Sequence, residues 1–300
     1  MKTSRLFFAT ALLSLTGSAL AGVASASKST VTQEEDKTSL WLFSTETTYT
    51  TRSKFRDPSL GSGDSLYGDY NVDRRFLISG STYFRLGAEY KRFDFGGANN
   101  GLPNHLQAIS AHLAYEYIAR NLAVAAVEFD PGFYFQNRIT GDAFDIPWKI
   151  YAVFPLKKDK VYGVLGAAGS LYQDPVVVPG GGLIWLINDK LRLDAFVPKP
   201  ALVYNPDDKW EFRLLGEFVS ESFRTDDVQN SASRINLRNA VVQYSEYRGG
   251  VQASYAGFKP FAIVAGAGYT FDRSFDFFRA RQRERVDGAP YFQLGISAKF

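Results

Sequence analysis

The sequence predicts an all-β fold, an antiparallel up-and-down β-barrel that crosses a membrane with its strands. Three observations support it: many runs in which apolar and polar residues alternate, an export-type segment at the N-terminus, and a last run that ends on a terminal Phe. No stretch after the N-terminal segment is apolar over the roughly 20 residues that a membrane helix needs. Because only helices and closed barrels satisfy every backbone polar group in lipid, such a chain crosses a membrane as a barrel.

The N-terminal segment has the layout of a cleavable signal peptide. Lys2 and Arg5 precede an apolar run at 6–15, and small residues follow at Ala19–Ala21 and Ala24–Ala26. We therefore predict a signal peptide at 1–26, a short periplasmic segment at 27–38, and a barrel over 39–300. Export through a signal peptide of this kind fits a protein of the cell outer membrane.

Composition excludes several classes of function. Removing Lys2 and Arg5 lowers the formal charge from +3 to +1, which gives no overall attraction to nucleic acid. The chain has no Cys and only two His, so it can form no disulfide and is poorly supplied for a histidine-based metal site. His105 lies in a polar loop with Asn104, and loop polarity is its ordinary explanation. We expect no metal and no cofactor.

Alternating runs set the number of strands. We find thirteen of them, at about 39–51, 66–79, 81–93, 106–118, 121–135, 146–155, 161–173, 179–188, 190–204, 210–223, 240–256, 259–278 and 289–300. Bacterial single-chain barrels have an even number of strands. We expect about twelve, with 10–14 possible, and the prolines between 179 and 210 make that stretch the uncertain one; pairing within 231–239 would favour fourteen. Short connections alternate with long polar ones, as in barrels with short periplasmic turns and long outer loops.

The two faces of each run differ in character. Along 81–93 the apolar Phe84 and Leu86 alternate with Arg85 and Glu89, and along 210–221 aromatic and acidic residues alternate in the same way. A soluble sandwich has the same period, so periodicity alone does not separate the two. The export segment, the terminal Phe and the aromatics near the ends of the runs favour the barrel.

Two segments carry a resemblance to a known group. The chain is similar to Gram-negative outer-membrane β-barrel proteins over nearly its whole mature length, in its export segment, its alternating runs and its C-terminal pattern of Phe292, Leu294, Ile296 and Phe300. The segment 179–200, with Pro-Gly-Gly-Gly-Leu-Ile-Trp at its start, resembles barrels of an uncharacterised family. The resemblance implies a fold, a location and recognition of the four apolar residues by the barrel-assembly machinery, but no activity. Ala298 stands where such proteins often have Tyr, which weakens the assembly signal.

Charged residues share one face of the runs, and we expect that face to line the lumen. They could form the selectivity rings of a porin-like pore, or they could pair across strands and fill the lumen. The pore-lining candidates are Arg85, Glu89, Lys91, His112, Glu116, Glu128, Asp130, Lys149, Arg192, Asp194, Glu211, Arg213, Glu217, Glu221, Glu246 and Arg248.

Four arginines at alternate positions, Arg279, Arg281, Arg283 and Arg285, follow the run that begins at 259. If that strand continues upward, they share the outward face with Phe275 and Phe277. Guanidinium groups above an outward aromatic belt would meet lipopolysaccharide phosphates, because Arg binds phosphate with two parallel hydrogen bonds. The alternative is a solvated loop whose arginines pair with nearby carboxylates.

His112 is the one residue that invites a catalytic interpretation. Ser110 and Glu116 share its face, but residues two and four apart on a strand are separated by about 7 and 13 Å, beyond hydrogen-bond reach. A partner on a neighbouring strand stays open. We predict no enzyme but an outer-membrane barrel that is a passive pore for small solutes or ions, or a structural barrel. An outer-membrane hydrolase and a soluble periplasmic all-β binding protein are the alternatives.

Overall fold

The computed structural model describes residues 40–97, 102–118, 124–158, 160–230, 235–238 and 240–300. The predicted signal peptide and the segment 27–38 lie outside the described residues, so both stay predictions.

Strands dominate the described chain. Their bounds are β1 Leu40–Lys54, β2 Ser62–Ser79, β3 Thr82–Phe95, β4 His105–Ile118, β5 Val124–Phe129, β6 Gly132–Phe135, β7 Phe144–Asp145, β8 Trp148–Lys157, β9 Val161–Gly169, β10 Val177–Leu186, β11 Leu191–Phe196, β12 Ala201–Tyr204, β13 Trp210–Arg224, β14 Val228–Asn230, β15 Ile235–Leu237, β16 Val241–Phe258, β17 Phe261–Phe277, β18 Gln282–Val286 and β19 Ala289–Lys299. One-turn 3-10 helices occur at Pro58–Leu60, Gly141–Ala143 and Phe278–Ala280.

These strands close into one antiparallel barrel. Strand β1 pairs with β2 on one side and with β19 on the other, where Leu42–Thr50 face Tyr291–Lys299. Trp41 and Phe300 extend this seam with two backbone hydrogen bonds, of 2.9 and 3.0 Å. Because β5 and β6 both pair with β4, they form one interrupted strand, and β7 and β8 form another beside them. The pair β14–β15 is a separate sheet, and β18 only extends the wall above β19, so the wall contains 14 strands.

The strand number lies at the top of the expected range. The run at 190–204 is two strands, β11 and β12, which turn back on each other at 197–200. The turn contains Pro198 and Pro200, whose nitrogens cannot donate to a ladder. The phase of the alternation shifts in this turn, because Arg192, Asp194 and Phe196 are buried on β11 whereas Ala201 and Val203 are buried on β12.

The two ends of the barrel differ in their connections. At the end that holds Trp41 and Phe300, here called the lower end, neighbouring strands are joined by short turns such as 80–81 and 187–190. On the upper side most connections are long, including 96–104 and 136–147, and the four-residue turn between β11 and β12 is an exception. The predicted alternation of short and long connections is confirmed.

One part of the wall is low. The wall is lower where β11 and β12 lie, because their connecting turn is the highest point at which they pair with β13. The last hydrogen bond of this pairing runs from the Phe218 amide to the Pro198 carbonyl. Above that level β13 continues to Arg224, paired with β16 on one side. Its tip forms a parallel bridge to β6, between Arg224 and Phe135, so the upper part of the lumen is narrower than the lower part. The segments 139–147 and 170–176 lie outside this narrow part.

A register shift in β17 changes which residues face inward. Tyr247 of β16 pairs with Asp272 whereas the next residue, Arg248, pairs with Thr270, so Phe271 is an extra residue in β17. A bulge of this kind moves the following side chains to the opposite face. Phe275 and Phe277 are therefore buried inside the barrel, not outward as the sequence pattern suggests.

The exterior of the barrel is apolar and is bordered by aromatic residues. Large apolar side chains on the outer face, such as Leu214 and Val251, are about 60% exposed. A lower aromatic belt consists of Trp41, Phe43, Trp210, Tyr255, Phe261 and Phe300, and an upper aromatic belt of Phe133, Phe144, Phe218, Tyr247, Tyr269 and Phe271. On β17 the belts are ten residues apart, which at a tilt of about 40° gives a height of about 25 Å. Among the residues that the structure describes, no helix has the length and apolarity to span a membrane.

Candidate functional site: the charged lumen

The charged residues predicted to line the lumen all lie inside the barrel. Their side chains are between 0% exposed, for Glu128, and 17% exposed, for Asp130. They occupy the inward positions of seven wall strands, as the alternation along each strand requires, with Asp130 directly after β5. Such low exposure means that these side chains contact one another rather than water. That they line a pore therefore stays a prediction.

Glu128 on β5 is the centre of the first group of ion pairs. Its carboxylate lies 3.3 Å from Arg85 Nη2 and 2.7 Å from Lys149 Nζ, and it accepts a hydrogen bond of 3.1 Å from the Tyr151 hydroxyl. Arg85 also lies 3.0 Å from Glu116. Four adjacent strands, β3, β4, β5 and β8, are thereby linked across their inner faces.

His112 joins this group through the strand interruption between β5 and β6. Its Nδ1 lies 2.6 Å from Asp130, which is the partner on a neighbouring strand that the sequence left open. The Ser110 hydroxyl points instead towards Glu89, at 3.5 Å. Among the described residues no hydroxyl bonds to the His112 Nε2, so the geometry contains a His–Asp pair without the nucleophile of a triad.

Lys91 is the centre of a second group, above the first. Its Nζ lies 2.9 Å from Glu89 on its own strand and 3.1 Å from Glu221 on β13. The second contact crosses the lumen, because β3 and β13 are not neighbours in the wall. It is possible because β13 leans inward above the low part of the wall.

Arg248 on β16 is the centre of a third group. Its guanidinium lies 2.7 Å from Glu217, 3.2 Å from Glu246 and 3.9 Å from Glu46. Lys199, from the turn between β11 and β12, places its Nζ 3.0 Å from Glu217. Lower in the barrel the pairs Arg192–Asp194 and Arg213–Glu211 lie along single strands, at 2.7 and 2.8 Å.

Several buried charged residues of the lumen were missed from the sequence. Glu46, Asp69 and Arg75 alternate with outward residues on β1 and β2, so the same period-2 test applied to those two runs would have found them. Lys199 gives no such signal, because it belongs to a turn and its direction depends on how the two prolines beside it bend the chain.

Aromatic side chains cover the charged groups from above. The upper aromatic cluster consists of Tyr67, Phe93, Phe95, Tyr134, Phe223, Tyr244, Phe275 and Phe277, all buried. Phe93 meets Phe223 edge to face with 5.8 Å between ring centroids, and Phe95 lies 4.8 Å from Phe275. On β3 and β13 these rings directly follow Lys91 and Glu221 on the inward face, so the lumen changes from charged to apolar within one residue pair.

A small cavity borders the charged lumen at the free edge of β13. Its volume is about 70 Å³, enough for a few water molecules. Lumen residues and residues of the outer segments line it together: Lys91, Asp130, Tyr134, Lys149, Ser170, Gln173, Ser220, Glu221 and Ser222 are among them. The cavity is therefore a place where the charged lumen approaches the outer surface from the side.

The four arginines that follow β17 are arranged differently from the expected continuous strand. The chain reverses at Phe278–Ala280, with Arg281 in the left-handed conformation at φ 56°, and returns as β18. Arg279 lies over the ring of Tyr172, at 5.7 Å. Arg283 and Arg285 are on the outward face of β18, opposite Asp276 and Ser274.

Comparisons with known proteins give similarities of shape alone. No family model matches the chain, and no curated protein matches its sequence. An outer-membrane channel from Pseudomonas putida F1 superposes with a TM-score of 0.47 at 8% identity, covering 87% of this chain and 95% of the other. LpxR from Salmonella typhimurium gives 0.42 at 11% identity, with 87% and 99% covered, and the toluene transporter TodX from Pseudomonas putida gives 0.40 at 9%, with 100% and 93% covered. No residue of this chain is assigned a role from these proteins.

Proposed function

We propose that this chain is an outer-membrane β-barrel whose lumen is closed to passive flow, a structural barrel rather than an open pore. The observation that carries the proposal is the burial of the lumen charges, none of whose predicted members is more than 17% exposed. In a water-filled pore the charged lining is wet by definition, whereas here each charge is covered by other side chains.

The outer surface supports insertion into a membrane. Exposed apolar residues between two aromatic belts about 25 Å apart match the outward band of membrane barrels. A soluble sandwich places such a face against a second sheet, and the described strands form one closed wall instead. The soluble periplasmic alternative therefore has no support in the arrangement of the strands.

The interior supports closure at two levels. The Lys91–Glu221 ion pair of 3.1 Å crosses the lumen, and the groups centred on Glu128 and Arg248 fill its inner faces with ion pairs of 2.7–3.3 Å. The upper aromatic cluster then fills the narrow part of the lumen formed where β13 meets β6. Both layers would have to rearrange before an ion could pass along the barrel axis.

A hydrolase is favoured less than a structural barrel. His112 and Asp130 form a pair, but among the described residues no hydroxyl is bonded to the His112 Nε2. Removing a buried His that is bonded to Asp should therefore alter stability rather than a chemical reaction.

A gated route for small polar solutes is the second candidate, and the cavity at the free edge of β13 favours it. Lys91 and Glu221 separate this cavity from the lumen with one ion pair. If that pair opens, solutes could enter from the side, below the upper aromatic cluster. The Glu221→Gln variant should then conduct where the native protein does not.

Planar-bilayer recording on refolded protein tests the proposal. We expect no steady conductance from native protein whose insertion is verified by heat-modifiable gel mobility, with a general porin in the same bilayers as the positive control. A combined Phe93→Ala, Phe223→Ala and Glu221→Gln variant should give measurable openings, since it removes material from both closing layers. Steady conductance of the native barrel would contradict the proposal, and conductance of Glu221→Gln alone would favour the gated route.

A further inference from the structure

A basic surface lies on the outer wall just above the upper aromatic belt. We name Lys54, Arg56, Arg281, Arg283 and Arg285 the basic rim. All five side chains are exposed, with Arg56 at 51% and Arg283 at 41%. The sequence pointed to the three from β18 and its turn, but Lys54 of β1 and Arg56 of the segment after β1 were not predicted.

The fold brings the two halves of the basic rim together. Phe55 of the segment after β1 bridges to Val286 of β18, and both side chains point inward. The Arg56 amide donates to the Arg285 carbonyl at 2.9 Å, so these two residues are cross-strand neighbours with outward side chains. Like charges directly opposite each other on a sheet destabilise it, which an anion between them would relieve.

Carboxylates near the basic rim compensate it only in part. Arg56 lies 3.6 Å from Asp272 and 3.7 Å from Asp287, and Arg283 lies 3.8 Å from Asp276. Within the described residues, Arg285, Arg281 and Lys54 have no carboxylate within ion-pair distance. Carboxylates thus pair with only two of the five cations, Arg56 and Arg283, and the basic rim holds donors that are available to an external anion.

The position of the basic rim selects the anion. On β17 the outward Phe271, 64% exposed, is three residues below Ser274, which pairs with Arg285. That separation is about 10 Å along the strand. If the aromatic belt marks the edge of the hydrocarbon, as the proposed membrane orientation requires, the guanidinium groups lie at the level of the phosphates of the outer leaflet.

We infer that the basic rim is a docking surface for lipopolysaccharide, with guanidinium groups on the lipid A phosphates and acyl chains against Tyr269 and Phe271. Arg56, Arg283 and Arg285 supply planar forks that match phosphate oxygens in pairs. The inference rests on the proposed outer-membrane orientation. The partner is the glycolipid rather than a free anion, because the cations adjoin an exposed apolar face that an ion in solution would not cover.

Binding of bisphosphorylated lipid A to the full chain in phosphatidylcholine nanodiscs tests the inference. The test variant is Arg56→Gln, Arg283→Gln and Arg285→Gln. The matched control, Lys157→Gln, Lys158→Gln and Lys160→Gln, removes the same charge from an exposed turn at the lower end. We expect lipid A to raise the thermal midpoint of native and control protein alike, and the test variant to bind at least about tenfold more weakly, equal to about 1.4 kcal/mol. Should the triple variant fail to fold, Arg285→Gln alone should weaken binding in the same direction.

Several outcomes would overturn the inference. One is equal affinity of native protein and test variant; another is an equal loss in the lower-end control, which would indicate charge alone. Equal binding of lipid A without its phosphates, or equal protection by inorganic phosphate, would also exclude the proposed contact. Flotation of the nanodiscs separates the two proposals: protein that does not float with lipid contradicts the membrane barrel itself, whereas protein that floats but does not discriminate contradicts only the docking surface.

Discussion

Neutralising Glu128 is the sharpest test of how the lumen is held together. Its side chain is 0% exposed and lies 2.7 Å from Lys149 and 3.3 Å from Arg85. Arg85 keeps Glu116 at 3.0 Å in the Glu128→Gln variant, but the next carboxylate for Lys149 is Asp130, at 4.0 Å. Lys149 therefore loses more electrostatic attraction than Arg85 does in this variant.

The magnitude follows from these distances. At an effective dielectric constant of about 20, a pair at 2.7 Å is worth about 6 kcal/mol of direct attraction. A neutral amide returns about 1–1.5 kcal/mol through its hydrogen bonds. The net loss of about 4–5 kcal/mol agrees with the roughly 3–5 kcal/mol measured when one partner of a buried pair is removed. We expect Glu128→Gln to lower the free energy of unfolding by about this amount.

Urea unfolding in lipid vesicles, followed by gel mobility and tryptophan fluorescence, measures the change. The control is Asp94→Asn, which breaks a pair of similar length, 2.7 Å to Arg92, between side chains that are 41% exposed. Such exposed pairs contribute about 0.2–1 kcal/mol. The Glu128→Gln, Lys149→Met double variant should recover a large part of the loss, because no unpaired charge is left. If Glu128→Gln costs no more than the control, the charged groups do not hold the lumen closed.

Three further predictions concern packing, backbone and assembly. Phe223→Ala should lower the free energy of unfolding by about 3–5 kcal/mol, because the ring is 0% exposed within the upper aromatic cluster; a loss below about 1 kcal/mol in urea titrations would contradict that packing. Gly182→Ala should lower the free energy of unfolding by about 1–3 kcal/mol, because its φ is 155° and a Cβ would lie 2.1 Å from a carbonyl oxygen of β11. Gly141→Ala is the control and should be neutral, because a Cβ there has nothing within 4 Å. Equal thermal midpoints of the two variants would refute this prediction. Phe300→Ala should reduce the amount of folded barrel in outer-membrane fractions, while Phe258→Ala, equally exposed at about 60%, should not; matching levels would argue against the assembly signal.

The sequence was enough to predict which side chains face the lumen, because the direction of a side chain depends on the local two-residue period of its strand. On β3 and β13 every second residue points inward, so single runs were enough to place Arg85, Lys91 and Glu217. The prediction failed where the period itself changes. The extra residue in β17 reverses the faces of Phe275 and Phe277, and nothing in the composition of that run marks the bulge.

Pairing partners could not be predicted, since they depend on the register of every strand between them. Arg85 and Glu128 are 43 residues apart and meet only because β4 lies between their strands in one particular register. The contact of Lys91 with Glu221 depends on a further feature of the fold. It forms because β11 and β12 are short, which lets β13 lean inward. The network of ion pairs in the lumen is thus a property of the whole ring of strands.

The seam between β1 and β19 constrains how the molecule forms. Nine residue pairs join the first strand of the wall to the last, so every earlier intermediate is an open sheet with two bare edges. Contacts between such distant parts of a chain form slowly, and bare edges invite pairing with other molecules. Closure of the barrel is therefore a single late step of folding. Until it occurs, the open sheet depends on a chaperone that covers both edge strands and keeps them from pairing with neighbouring chains.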